Sequence, residues 1–365
     1  MDTKILDKLQ QRKALLIESI CRKAEACCPG SLALLGIYGS FATGDLHEHS
    51  DLDLLILIND EAGRILADTF LLDGIGYDLY CTTWAQLEQE AAHPHPHIAR
   101  WMDAKLAYCP DETALQRLQM LREQAGALLN RPYGAQTVAD AKAAFAPAYQ
   151  AFSLLQCSEW LPEARYQAAL LLYHAETAVC TLNRRYFRLG TRRVFTELSE
   201  MPLLPQELLP QMQQLIEARS LRQLQQCAAR LVANLSCYLA QQETQFAQTQ
   251  APTADALRGT YEEMISNWRG KLILASQTED VSLALHALAA CQQMLEELSR
   301  AYALPAPNLM DGFDPRDASR ALSCFDRALA EYRHCYDTVH LPVEQYTCEH
   351  EWQETYLMPA SASLH

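Results

Sequence analysis

The stretch Gly36-Ile37-Tyr38-Gly39-Ser40-Phe41-Ala42-Thr43-Gly44-Asp45-Leu46-His47-Glu48-His49-Ser50-Asp51-Leu52-Asp53 decides the reading of this chain. An apolar run, Leu34 to Tyr38, ends in Gly39-Ser40. After a polar loop, Ser50-Asp51-Leu52-Asp53 leads into the apolar run Leu54-Leu55-Ile56-Leu57-Ile58. Along a strand, residues two apart share a face, so Asp51 and Asp53 project together and Leu52 projects away. Two adjacent carboxylates repel unless a cation offsets them. A divalent ion such as Mg²⁺ suits one or two carboxylates completed by phosphates and water. Gly39 permits a tight turn and a close backbone approach. Ser40 adds a hydroxyl, and the free N–H groups of a turn entering a helix favour an anion. The stretch therefore predicts a phosphate-contacting turn facing a pair of metal-binding carboxylates.

A further carboxylate lies in Gly76-Tyr77-Asp78-Leu79-Tyr80-Cys81-Thr82, a run rich in aromatic and β-branched residues that reads as a strand. Asp78 sits inside it, where a charge is otherwise unwelcome. Asp73 competes for the same role, but its Leu-Leu-Asp-Gly setting reads as a structural turn. G-S, A-T-G, S-D-L-D and a following apolar strand, in this order, resemble the signature of the nucleotidyltransferase superfamily. That superfamily includes DNA polymerase β and the aminoglycoside nucleotidyltransferases. The resemblance implies Mg²⁺ held by Asp51, Asp53 and, on the neighbouring strand, Asp78. It implies a nucleoside triphosphate, with ATP as the expected donor, held at Gly39 and Ser40.

The chain has 365 residues, enough for two domains, and is 49% hydrophobic. Its net charge of −15 argues against a broad nucleic-acid-binding face and favours a small acceptor. Thirteen cysteines with no C-x-x-C pair suggest reduced thiols in a cytoplasmic protein. The first residues lack the apolar core of a signal peptide, and no apolar run is long enough to span a membrane.

The expected fold class is α+β: a small mixed β-sheet followed by an all-α helical bundle. Helix is expected over 3–27, 61–71, 84–91 and 113–129, and strand over 33–38, 52–58, 76–82 and 105–109. These make a catalytic domain over 1–130. From Asn130-Arg131-Pro132-Tyr133-Gly134 onward, strand signals nearly vanish. Helices are expected over 135–157, 163–186, 206–218, 220–247, 254–275, 280–302 and 315–338, within a helical acceptor-binding domain over 131–350. Residues 351–365 read as a tail, frayed over 358–365. This two-part layout resembles the kanamycin and streptomycin nucleotidyltransferase branch. In that branch the second domain helps to form the acceptor pocket and can supply the general base.

One helical stretch carries candidate chemistry. Leu172, Glu176, Val179 and Asn183 fall on one helix face, so Glu176 lies on or beside an apolar stripe. An unpaired carboxylate there has a raised pKa, which suits a general base; a structural ion pair with a nearby arginine is the other reading. Arg184, Arg185, Arg188, Arg192 and Arg193 cluster just beyond, and Arg184 and Arg185 are the candidates for phosphate contacts. A solvated helix end capped by Gly190 is the alternative. His93, His95 and His97 alternate in a Pro-rich loop that reads as a loop before a metal site, and His47 and His49 flank the catalytic turn.

These readings lead to an Mg²⁺-dependent enzyme that moves a nucleoside monophosphate to a hydroxyl of a small acceptor, an aminoglycoside-like antibiotic being one candidate. The alternatives are a protein adenylyltransferase and a non-catalytic nucleotide-binding regulator. A minimal toxin–antitoxin nucleotidyltransferase fits poorly, given the chain length and the large helical region. No extended nucleic acid and no membrane is expected as a partner, and a homodimer is left open.

Overall fold

The computed structural model describes residues 3–246 and 249–357; the frayed end expected over 358–365 lies outside them. The chain divides into two compact units, Met1–Phe246 and Ala247–His365. The change from sheet to helix near residue 130 falls inside the first unit, and the helical region expected over 131–350 is shared between the two.

The first unit opens with helix α1 (Thr3–Cys27), followed by strand β1 (Leu32–Ile37), the short helix α2 (Gly39–Thr43) and strand β2 (Leu54–Ile58). Strands β3 (Asp68–Leu72), β4 (Ile75–Leu79) and β5 (Cys81–Thr83) come next, then helices α3 (Trp84–Ala92) and α4 (Ala99–Met102). Strand β6 (Lys105–Tyr108) and helix α5 (Glu112–Leu129) complete this part. The main sheet has the order β5-β2-β1-β6, with β1 antiparallel to both β2 and β6 and β2 parallel to β5. It is therefore a mixed sheet, as expected from sequence.

The unbroken apolar run of β2 has a plain cause: both faces of the sheet are covered. Leu54, Ile56 and Ile58 join Leu16, Ile20 and Ala24 of α1 in one core layer. Leu55 and Leu57 pack on the other side with Trp84 and Leu87 of α3, Trp101, and Leu118 and Leu121 of α5.

Several local expectations need correction. The helix expected over 61–71 is a single 3₁₀ stretch, Glu61–Leu66, followed by β3. β3 and β4 form a separate hairpin across Asp73-Gly74, both with positive φ (58° and 77°), which is the conformation a two-residue primed turn demands. The strand expected over 76–82 is therefore two strands, β4 in the hairpin and β5 in the main sheet. In the second unit, the helix expected over 254–275 is interrupted at Gly259, whose φ is 81°.

Past residue 130 the first unit is all helix: α6 (Ala135–Cys157), α7 (Leu161–Leu182), α8 (Val194–Ser199), α9 (Leu208–Glu217) and α10 (Leu221–Thr244). Their shared core includes Phe145, Leu171, Val179, Leu198, Met212 and Leu231. Helix α7 stops at Leu182, short of the expected 186, and Gly190 does not cap it. The Arg184 N–H donates to Thr181 O at 2.9 Å and the Arg185 N–H to Cys180 O at 3.1 Å, with Arg184 at φ 55°. That is a Schellman end with an arginine in the left-handed position where glycine is usual.

The second unit holds α11 (Ala254–Leu257), α12 (Thr260–Glu263), α13 (Gly270–Thr278), α14 (Val281–Ala301), α15 (Ser319–Thr338) and α16 (Glu349–Tyr356). Its own core gathers Leu272, Leu288, Leu295, Phe325 and Tyr336. Helix α16 occupies part of the stretch expected to be a tail, and none of its residues is buried.

Candidate active site

The ladder between β1 and β2 sets the site. Its last strand pair is Ile37 with Leu54, and the Tyr38 N–H donates to Asp53 O at 3.1 Å, one residue further out. Asp51 to Asp53 thus lies at the strand mouth, just ahead of β2. Leu52 is 3% exposed and packs under the sheet, while Asp51 and Asp53 are partly accessible. The alternation that sequence predicts for Asp-Leu-Asp is present.

Gly39 opens α2 at φ 61°. A Cβ built there would sit 1.8 Å from Asp53 Oδ2, so only glycine lets the turn close on the carboxylate. The Ser40 backbone N–H donates to Asp53, while the Ser40 hydroxyl oxygen is buried without a hydrogen-bond partner. Burial, and then the charge of Asp51, push the Asp53 carboxyl up to about 6, with the Ser40 N–H pulling the other way. A cation between the two carboxylates would remove both the crowding of charge and the desolvation burden. An orphaned hydroxyl beside them offers a donor to a phosphate oxygen. The donor set fits Mg²⁺ with a triphosphate.

Asp78 is less closely joined to the pair. It is exposed on β4 and accepts a hydrogen bond from Thr69 Oγ1 at 3.1 Å across the hairpin. Among the described residues, no three His, Cys, Asp or Glu side chains are gathered so as to hold a metal ion. Tyr38 links the three carboxylates electrostatically: burial raises its pKa most, Asp53 adds to it, Arg100 opposes, and Asp51 and Asp78 contribute further increments. The competing Asp73 is tied to α1 by Lys8 at 2.5 Å and Arg12 at 3.0 Å, a structural role.

Glu176 lies on α7, and burial alone pushes its carboxyl up to about 7. Among the described residues it has no ion-pair partner. Arg184 and Arg185 follow directly on α7. They line a cavity with Arg131, and none of Gly39, Ser40, Asp51 or Asp53 belongs to its wall.

Other arginines of the cluster do reach the mixed-sheet part. Arg188 pairs with Asp103 at 2.9 Å, and Arg193 pairs with Asp45, just after α2. Asp45 is a residue that sequence reading passed over; its Oδ2 is buried without a partner. Nothing in the local pattern separates Asp45 from an ordinary loop acid. His97 stacks on Tyr173 at 5.3 Å and His95 lies 3.8 Å from Glu90, so the His-Pro loop packs against α3 and α7. His47 ties its own loop: its N–H donates to Ser50 Oγ at 3.0 Å, and its Nδ1 accepts from the His49 N–H at 3.2 Å.

The family model of the nucleotidyltransferase domain matches residues 16–108. The small mixed sheet and its helices therefore form a nucleotidyltransferase fold. Among curated proteins, the bifunctional uridylyltransferase/uridylyl-removing enzyme of Nitrosococcus oceani is 30% identical over 103 residues. That alignment takes in 26% of this chain and 11% of the relative's length, so the relative is far larger than the shared part. Among solved structures, a nucleotidyltransferase-like protein from Exiguobacterium sibiricum shares 13% identity at a TM-score of 0.34, over 66% of this chain and 83% of that one. No helix among the described residues is long and apolar enough to cross a membrane.

Proposed function

We propose that this chain transfers a nucleoside monophosphate from a nucleoside triphosphate to a hydroxyl of a small acceptor. The supporting observation is the Gly39–Ser40 turn closed on Asp53, with an unpartnered buried hydroxyl beside two carboxylates. Asp51 and Asp53 would hold Mg²⁺, with Asp78 as the third carboxylate of the group. When bound, the ion would supply charge neutralisation and alignment of the phosphates. Ser40 and the free N–H groups of α2 would bind phosphate oxygens.

The reaction joins the acceptor oxygen to the α-phosphorus, breaks the bond to the β-phosphate oxygen and releases pyrophosphate. Glu176 is proposed as the base that takes the acceptor proton, its burial keeping a carboxylate basic near neutral pH. The helices that follow residue 130 in the first unit are proposed to furnish the acceptor's surroundings. ATP is the expected donor; the N. oceani relative's name, a uridylyltransferase, makes a uridine nucleotide the alternative. Thirteen free cysteines accord with a cytoplasmic setting.

A second reading, a nucleotide-binding protein without transfer activity, is favoured by the hold of Thr69 on Asp78. Each α-labelled triphosphate, incubated with Mg²⁺ and a panel of hydroxylated acceptors, separates the two. Label transfer by wild type that Asp51→Asn/Asp53→Asn loses supports the enzyme. Triphosphate binding with no transfer supports the second reading, and no binding contradicts both.

A further inference from the structure

A cavity of about 400 Å³ in the first unit is lined by Arg131, Arg184, Arg185, Thr181 and His93, with Asp140 the carboxylate in its wall. Asp140 is already engaged, by Arg131 and by Gln136 Nε2 at 2.8 Å. Arg184 and Arg185 have no such partner. Arg184 Nη1 donates to the Arg131 carbonyl at 2.5 Å, its guanidinium lies 5.8 Å from the Tyr133 ring, and its Nε is buried with no partner. Arg185 Nη1 reaches only the Glu200 carbonyl at 3.3 Å. Among the described residues neither guanidinium meets a carboxylate, in a chain of net charge −15.

Two features argue that this arrangement has a use. A buried donor left unpaired is costly and rare. Arg184 also occupies the left-handed position of a Schellman helix end, at φ 55°, where glycine or asparagine would close the turn without strain. The turn itself gains nothing from an arginine. What the arginine adds is a planar fork of donors inside the cavity, and such forks match phosphate and carboxylate geometry.

We propose that this cavity is a second anion site, which takes the phosphate or carboxylate group of a small molecule other than the triphosphate held at Gly39–Asp53. The site stands on its own geometry and does not depend on nucleotidyl transfer. An anion there would satisfy Arg184 Nε and neutralise two unpaired cations together.

Calorimetric titration of the full chain with inorganic phosphate and, separately, with citrate in chloride buffer tests this. Wild type is expected to bind without Mg²⁺, and the better-bound probe names the preferred group. Asp51→Asn/Asp53→Asn should bind equally well. Arg184→Gly should lose at least tenfold in affinity while melting no lower than wild type, because glycine suits the left-handed turn. Arg185→Gln, altering an exposed side chain, is the second variant and should lose several-fold. Affinity unchanged in Arg184→Gly and Arg185→Gln would overturn the proposal. So would displacement of phosphate by Mg·ATP in wild type but not in the Asp51/Asp53 variant, because the cavity would then belong to the triphosphate.

Discussion

The backbone of Gly39 lies against the carboxylate of Asp53, so closely that a methyl group on Gly39 would fall 1.8 Å from Oδ2. The turn and the carboxylate are therefore one unit. Gly39→Ala must open the turn or drive Asp53 aside, and it also places a side chain at φ 61°. The backbone strain alone costs about 1–3 kcal/mol. Chemical denaturation should show at least that loss, and Mg²⁺-dependent triphosphate binding should fall more than tenfold.

Ser40→Ala separates folding from binding. The Ser40 hydroxyl is buried and unpartnered, so its removal costs the free protein nothing beyond about 0.5 kcal/mol. If the hydroxyl meets a phosphate oxygen, triphosphate affinity should fall roughly five- to tenfold. Equal affinity in the variant would remove Ser40 from the site.

Asp53→Asn should stabilise the ligand-free protein while abolishing metal-dependent binding. Burial and Asp51 raise the Asp53 carboxyl from 3.8 to about 6, so the fold resists its ionised form. That contribution to stability is full below pH 3.8 and is lost as pH rises through about 6. At pH 8 the amide should therefore gain about 1–2 kcal/mol, less than the full conversion because solvent reaches the group. A melting temperature below wild type at pH 8 would contradict this.

Glu176 gives a second pH signature. Its folded carboxyl stands near 7 against an ordinary 4.5, from burial alone. Protonation is favoured in the fold, so the stabilising contribution is full below pH 4.5 and disappears as pH rises through about 7. Wild type should lose up to about 3 kcal/mol from this group over that window, and Glu176→Gln should remove the slope. If Glu176 is also the base, the variant's transfer rate should fall about 10²-fold or more while triphosphate affinity holds.

Much of the mixed-sheet part is legible in the sequence because its signals are local. The apolar run Leu54–Ile58 reads as a strand, with Asp51-Leu52-Asp53 leading directly into it, and the structure covers that strand on both faces. The hairpin of β3 and β4 was hidden because Ile65, Leu66, Phe70 and Leu71 mimic helical spacing; the Asp73-Gly74 turn was the better guide. A single strand over 76–82 would put Asp78 in the main sheet; it lies in the hairpin, opposite Thr69. The end of α7 is hidden in the sequence because an arginine, not Gly190, takes the left-handed position. The joining of Arg193 to Asp45 and the shared cavity of Arg131 and Arg184 depend on tertiary packing, which no local pattern encodes.

Calorimetric titration of ATP, with and without Mg²⁺, into wild type and into Asp51→Asn/Asp53→Asn tests the central claim most directly. The account predicts binding that requires Mg²⁺ in wild type and disappears in the folded variant. Failure of folded wild type to bind ATP, UTP, GTP or CTP, or equal Mg²⁺-dependent binding by the variant, would contradict it.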